Sequence, residues 1–250
     1  MKLLTKISTR APKGLQKEKI KAATLKLQKR LHELQSVMYA ENKWSVLIVL
    51  QGLDAAGKDG SVKNVFSGVN PMGCKVKSFK KPTEEECAHD FLWRVHYHTP
   101  RQGMIQIFNR SHYEDVLVPR VHKWLSMHEI RKRFGYINSF EQLLQSSGTL
   151  IFKFYLHISK EEQQERFAER LTLAEKRWKY QDADLKESKH WDAYIEAFED
   201  IFEHCSKEIP WSIVPADQNW YRNYIIVKAI VDSLEKLNMQ YPDLQTKELP

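Results

Sequence analysis

The stretch Gly52-Leu53-Asp54-Ala55-Ala56-Gly57-Lys58-Asp59-Gly60 decides the reading of this chain. It follows the apolar run Ser45-Val46-Leu47-Ile48-Val49-Leu50, which reads as a strand buried on both faces. It precedes Ser61-Val62-Lys63-Asn64-Val65-Phe66, which reads as the opening of a helix. Strand, glycine-rich turn, lysine and helix is the order a phosphate-binding loop requires. The glycines let the backbone bend until several N–H groups face one point. The helix N-terminus adds the positive end of its dipole, and Lys58 adds a mobile full charge. Gly52, Ala55, Ala56, Gly57, Asp59 and Gly60 are therefore expected to line a phosphate or nucleotide. The usual pattern places Ser or Thr directly after the lysine, to ligate magnesium. Here Asp59 stands there, and Asp54 lies inside the loop. Carboxylates beside bound phosphate repel it unless a cation intervenes. A metal-dependent site is expected, with magnesium as the cation and manganese as its substitute. The bland alternative is a glycine-rich turn with no ligand.

Working outward, strands and helices alternate. Strands are expected at 45–50, 75–79, 104–108, 150–156 and 211–214. Helices are expected at 15–39, 84–96, 126–145, from Ser159 onward, at 191–205 and at 221–237. Glu84-Glu85-Glu86 opens the second of these with acids at its positive end, and Ser159 with Glu162 reads as a capping box. Such alternation predicts one α/β domain over residues 1–250, a parallel sheet between two helical layers. A helical extension is expected over about 1–42, and the tail after Pro242 is expected to be loose. Ligands in such sheets bind at the carboxyl ends of the strands.

The third strand runs into Asn109-Arg110-Ser111-His112-Tyr113-Glu114-Asp115. In phosphate-loop enzymes a neighbouring strand ends beside the phosphates and supplies the acid that holds the metal. Asp115 or Glu114 suits that role, and the planar fork of Arg110 suits a phosphoryl group in transfer. Ser111 as N-cap with Glu114 as its box partner is the structural alternative, and the two are compatible.

Cations are in surplus. Lys75, Lys77, Lys80 and Lys81 crowd the end of the second strand. Arg166, Arg170, Lys176, Arg177 and Lys179 crowd the stretch after the fourth. Residues 172–187 lie between two helices and read as a lid, placed at about 166–190. A nucleotide alone does not need so many positive charges, whereas a long polyphosphate would. Solvated lysines and the i,i+4 pair Glu162–Arg166 are the plain alternatives. Trp178 and Tyr180 suit stacking on a base or docking of the lid. His89, His96 and His98 do not converge on a metal-ligand spacing.

The net charge of +7 points to polyanionic partners or simply to solubility. With 42% hydrophobic and 28% charged residues, the chain is of the globular class. No apolar run approaches the ~20 residues a membrane span needs. Met1-Lys2-Leu3-Leu4-Thr5-Lys6 lacks a signal-peptide core, and Cys74, Cys87 and Cys205 show no paired spacing. A cytoplasmic protein with neither membrane nor nucleic acid as partner is expected; no nucleic-acid motif is present.

With Gly68-Val69-Asn70-Pro71 and Ala216-Asp217-Gln218-Asn219-Trp220-Tyr221-Arg222, the two central motifs resemble the family-2 polyphosphate kinases from about residue 20 to 238. The resemblance implies a thymidylate-kinase-like phosphate-loop fold with a helical lid. It implies reversible, magnesium-dependent transfer between inorganic polyphosphate and ADP or AMP, with ATP or ADP as product. Asp54 and Asp115 would handle metal, and Lys58 and Arg110 the phosphoryl group in flight. Asn109 and Glu114 would lie near the acceptor. Lys58, Lys80, Lys81, Arg170 and Arg177 would bind polyphosphate. Ser111–Asp115 resembles the subgroup acting on both AMP and ADP, and a homo-oligomer, dimer or tetramer, is expected. An ATP-dependent nucleoside-monophosphate kinase is the rival reading, and Asp59 counts against it.

Overall fold

The computed structural model describes residues 4–243, so the tail expected to be loose lies largely outside the described residues. Five strands form one parallel sheet: β1 (Ser45–Gln51), β2 (Cys74–Ser78), β3 (Ile105–Asn109), β4 (Thr149–His157) and β5 (Trp211–Pro215). Their order is β2-β3-β1-β4-β5. All seven residues of β1 are buried, as its unbroken apolar run demands of a strand covered on both faces. In register, Val46 lies opposite Ile105 of β3 and Leu150 of β4. The edge strand β2 (Cys-Lys-Val-Lys-Ser) has no buried residue, and its lysines suit an open edge.

Ten α-helices complete the described residues. The long α1 (Lys17–Glu41) lies along α10 (Asn219–Glu235), with α2 (Lys58–Val65) beside them. Leu31, Leu34 and Met38 of α1 and Ile226, Val227, Ile230 and Leu234 of α10 supply the buried stripe. On the other side α5 (Glu114–Val121) packs against α6 (Met127–Ser146) and α9 (Trp191–His204). The fold is thus three-layered α/β/α. Ahead of α1 the described residues open on a 3-10 turn (Leu4–Lys6) and then run without regular structure to Lys17.

The helix expected over 84–96 is two short ones, α3 (Glu84–Ala88) and α4 (Trp93–His96). Asp90 breaks it by accepting from the N–H of Leu92 (2.9 Å), a local bond that competes with helical pairing. Thr83 and Glu86 cap α3 reciprocally. The helix beginning after Ser159 is α7 (Lys160–Thr172). A 3-10 turn (Ala174–Lys179), α8 (Asp182–Glu187) and a second 3-10 turn (Ser188–His190) then lead to α9.

Chain order explains the site. From β1 the chain moves out to β2, returns to β3 beside β1, and later adds β4 on the other side. The strand order reverses at β1, so a crevice opens at its carboxyl end, where residues 52–60 lie.

Candidate active site

The loop after β1 turns on residues whose φ is positive: Gly52 (+151°), Ala55 (+63°) and Gly57 (+98°). A Cβ at Gly52 would stand 2.9 Å from the carbonyl oxygen of Leu156, and one at Gly57 would stand 2.1 Å from Nη1 of Arg222. The neighbouring strand and helix therefore close on the loop as tightly as glycine permits.

The loop's carbonyl side is tied down residue by residue. Lys58 Nζ donates to the carbonyls of Gly52 (2.7 Å) and Leu53 (3.1 Å). Gln163 donates to that of Asp54 (2.8 Å), Arg166 to Ala55 (2.8 Å) and Arg222 to Ala56 (3.4 Å). Ser61 N–H takes the carbonyl of Gly57 (2.9 Å) as α2 begins. Holding the oxygens from behind leaves N–H groups of the loop for an anion in front, apart from that of Ala56, which donates to the carbonyl of Leu53 (3.1 Å). Arg222 is 1% exposed and has no carboxylate among its hydrogen-bond partners; its other acceptors are the side-chain oxygens of Asn219 and Asn223. Burial and the nearby Arg166 weaken its hold on a proton, yet a guanidinium stays charged at neutral pH. Burial, aided by Arg110, likewise lowers the pKa of Lys58. A phosphate would relieve both.

At the end of β3, Arg110 has φ +62° and donates to Asp54 Oδ1 (2.7 Å). Asn109 donates to Asp59 Oδ1 (2.7 Å). The two ends of neighbouring strands are thus linked by side chains from each. Asp59 also pairs with Lys179 (3.3 Å), from the far side of the crevice. Burial pushes its pKa up, but the bonds from Asn109 and Lys179 outweigh that and hold it below the ordinary value. Glu114 is raised by burial, against the pull of Arg110 and Lys58. Asp184 of α8 is raised by burial and by Asp54, although it accepts from Arg170 (2.8 Å).

These groups surround a cavity of about 1050 Å³. Its wall carries nine cationic side chains against five carboxylates. Of the residues expected at the site, Asp54, Ala55, Gly57, Lys58, Asp59, Gly60, Lys80, Lys81, Asn109, Arg110 and Arg170 stand on that wall. Gly52 and Ala56 lie within the loop but off the wall. Glu114 and Asp115 also stand off it. The carboxylate of Asp115 is engaged by the buried Arg94 (3.0 Å), which also donates to the carbonyl of Lys80 (2.9 Å). Burial raises the pKa of Asp115, and Arg94 opposes it. Arg177 turns away, toward the carbonyls of Leu171 (3.3 Å) and Thr172 (3.4 Å). Its 3-10 turn repeats every three residues, so Lys176 and Lys179 share the cavity face and Arg177 does not. Lys75 and Lys77 stay on β2, off the wall.

Both expected caps are altered. Ser111 accepts from the N–H of Tyr113 (3.2 Å), and α5 starts at Glu114 without a side-chain cap. Ser159 does accept from Glu162 N–H (3.2 Å), but its own N–H goes to Asp217 (2.9 Å), while Glu162 pairs with Arg166 (2.9 Å). Pro119 inside α5 removes the donor that would have met the carbonyl of Asp115; Nη1 of Arg133 supplies it instead (2.6 Å).

A second set of residues escaped the sequence reading. Lys153 in the middle of β4 is 1% exposed and donates to Glu141 (2.7 Å), Tyr113 (3.0 Å) and the carbonyl of Cys205 (2.6 Å). Glu141 also binds His112 (3.1 Å) and Tyr113 (2.9 Å). This buried network anchors the segment carrying Arg110, Glu114 and Asp115. The lysine interrupting Leu150–Leu156 was its one visible signal.

The donor set fits a hard cation. Asp54 stands on the wall, Asp184 and Glu114 lie within electrostatic reach of it, and each is raised partly by its charge. Magnesium is usually held by one or two carboxylates with substrate phosphates completing the shell. Among the described residues, no group of three or more His, Cys, Asp or Glu converges to form a closed metal site without such help.

The family model for polyphosphate kinase 2 matches residues 14–242. The chain belongs to the polyphosphate kinase 2 family. It is 51% identical to the AMP/ADP-polyphosphate phosphotransferase of Meiothermus ruber over 221 residues, which is 88% of this chain and 83% of that one. It is 44% identical to the ADP-polyphosphate phosphotransferase of Rhodopseudomonas palustris, over 86% of this chain and 78% of the other. The crystal structure of polyphosphate kinase 2 from Arthrobacter aurescens TC1 superposes with a TM-score of 0.94 at 39% identity, covering 98% of this chain and 89% of that one. The phosphate-loop kinase fold expected of a polyphosphate kinase 2 is therefore present. No helix among its described residues is long and apolar enough to cross a membrane.

Proposed function

We propose that this chain transfers phosphoryl groups reversibly between inorganic polyphosphate and adenine nucleotides, with ADP and AMP as acceptors. The observation that carries the reading is the wall of the cavity: nine cationic residues against five carboxylates line one space, drawn from the phosphate loop, the ends of β2 and β3, α7, the following turn and α10. A nucleotide's phosphates would occupy only part of it, and a polyphosphate chain would occupy the rest.

In this reading Lys58 leaves the carbonyls of Gly52 and Leu53 for a phosphate oxygen, while the loop's N–H groups hold the same group. Arg110 exchanges Asp54 for the group in transfer and stabilises the charge that spreads over its oxygens. Asp54, thereby freed, would hold magnesium, or manganese in its place, which when bound would neutralise phosphate charge. Asp115 supports the site by fixing Arg94, which in turn holds the backbone at Lys80. Glu114 stands off the wall and, within electrostatic reach of Arg110 and Lys58, contributes to the field both work in. Lys80, Lys81, Arg170 and Lys176 line the path of the polyphosphate. Lys179 closes residues 173–190 as a lid by pairing with Asp59 across the crevice.

The test is chromatography of nucleotides after mixing the protein with magnesium, long-chain polyphosphate and either ADP or AMP. ATP from ADP, and ADP then ATP from AMP, are expected. Product from ADP alone would remove AMP from the acceptor range. Product only when ATP is the donor would make the chain a monophosphate kinase.

A further inference from the structure

Residues 4–11 run past the carboxyl ends of β4 and β5, with Leu4 packed into the core beside α9. Leu4 is 2% exposed, its N–H meets Glu199 (2.6 Å) and its carbonyl faces His157 Nε2 (3.2 Å). Thr9 Oγ1 donates to Asp217 Oδ2 (2.7 Å), and Asp217 N–H donates back to the carbonyl of Thr9 (3.1 Å). The N–H of Ala11 goes to Gln218 Oε1 (2.9 Å).

Asp217 is itself buried and has other attachments. Its Oδ1 accepts from the N–H of Ser159, at the root of α7 (2.9 Å). Its carbonyl and that of Ala216 both accept from Arg166 Nη2 (3.0 and 2.8 Å). The other arm of Arg166 reaches the carbonyl of Ala55 in the phosphate loop, and Gln163 reaches that of Asp54. From this clamped root α7 runs to the segment that bears Lys176 and Lys179. One residue is therefore a single bond from the N-terminal segment and from the root of α7, and a single residue from the phosphate loop.

We propose that Thr9 and Asp217 are positioning residues for phosphoryl transfer: the segment 4–11 acts as a strap that, through Asp217, sets where α7 stands, and with it the phosphate loop and the lid. The proposal rests on the function argued above. The physical reason is acceptor accounting. Thr9 supplies the hydroxyl on one side of a buried carboxylate while Ser159 supplies the N–H on the other, so its plane is fixed from both sides. Without the hydroxyl the carboxylate is free to rotate toward other donors, and the turn it belongs to loosens under Arg166.

The test compares Thr9→Val, which keeps the side chain's shape, with Thr9→Ser, which keeps only the hydroxyl. In Thr9→Val, kcat for ATP formation from polyphosphate and ADP should fall about five- to tenfold, short of the ~100-fold that a displacement near 1 Å brings. The KM for ADP should change less than about twofold, since uniform binding is not what is lost. Thr9→Ser should return kcat to near the starting value. Without substrate, trypsin should cut after Lys176 and Lys179 several times faster in Thr9→Val, because local opening of the lid becomes easier. An unchanged kcat and cutting rate with a lower Tm would overturn the proposal, leaving the strap a stabilising contact only. Thr9→Ser behaving like Thr9→Val would overturn it too. If the unaltered protein fails to use polyphosphate, the proposed function falls, whereas the trypsin comparison still decides whether the strap sets the lid.

Discussion

Gly57→Ala tests whether the phosphate loop is held as tightly as its geometry indicates. Two costs add. At φ +98° an L side chain sits in the left-handed half of the map, at about 1–2 kcal/mol. The new Cβ would also lie 2.1 Å from Nη1 and 3.0 Å from Cζ of Arg222, a buried group without slack. Moving that guanidinium breaks its bond to Asn219 (2.7 Å), and a hydrogen bond to a charged group is worth about 1.5–3 kcal/mol. The sum is roughly 2.5–5 kcal/mol, or about 5–20 °C in Tm for a chain of this size. Thermal and urea unfolding of the variant read it directly. A cycle with Arg222→Met separates the parts: in that background Gly57→Ala should cost only the backbone share, about 1–2 kcal/mol. A melting point within 2 °C of the parent, or an equal cost in both backgrounds, would refute the account of how Arg222 holds the loop.

Four further outcomes are expected. Lys58→Ala should lower kcat by at least about a thousandfold, as loss of a group stabilising transition-state charge does, with the fold intact by circular dichroism. Lys81→Ala should raise the KM for long polyphosphate and leave kcat close to the parent value in a steady-state titration, because it lines the path and not the reacting end. Asp115→Asn leaves Arg94, 5% exposed, with the carbonyl of Lys80 and, as the remaining carboxylate among the described residues, Glu86 at 3.6 Å, and should cost about 3 kcal/mol in urea unfolding, the scale for breaking a buried pair. Glu141 is raised by burial but lowered further by His112 and Lys153, so its folded pKa lies below its unfolded one. Its contribution is then complete above about pH 4.5 and is lost as pH falls through the depressed value, so Glu141→Gln should flatten the acid limb of a stability–pH curve.

The sheet was legible because each strand carries a signal that does not depend on its neighbours. Val46–Leu50 is short, rich in β-branched residues and followed by a glycine turn, the signal of a strand covered on both faces, and all five strands fall within a residue or two of their expected bounds. Helix ends were harder. A run of acids and aromatics over 84–96 has no breaker, yet Asp90 divides it by a side-chain bond that depends on local geometry. Ser159 and Glu162 satisfy the spacing of a capping box, but the box is opened by partners 58 and 4 residues away, Asp217 and Arg166. A spacing rule sees the i,i+3 pair and cannot see competitors brought by the fold.

The same limit governs the site. The phosphate loop and the cluster after β3 are continuous in sequence, so their residues could be named in advance. What holds them is not continuous. Asp115 carries the residue type of a metal ligand at a suitable position, yet a buried arginine from α4, expected only as part of a helix, engages its carboxylate. Asp184 reaches the crevice from a short helix with no motif at all. Arg222 was visible as part of a resemblance, but its work is defined by the absence of a Cβ 165 residues earlier, at Gly57. These supporting contacts are one-to-one fits between distant segments. A polyphosphate kinase needs them because its reaction asks little covalent chemistry of the protein and much positioning. Two polyanions must be held end to end, and a loop free to relax would let its N–H groups follow whichever phosphate bound first. Fixing the loop's carbonyls with Gln163, Arg166 and Arg222 places its donors before either substrate arrives, which is where electrostatic preorganisation has its effect.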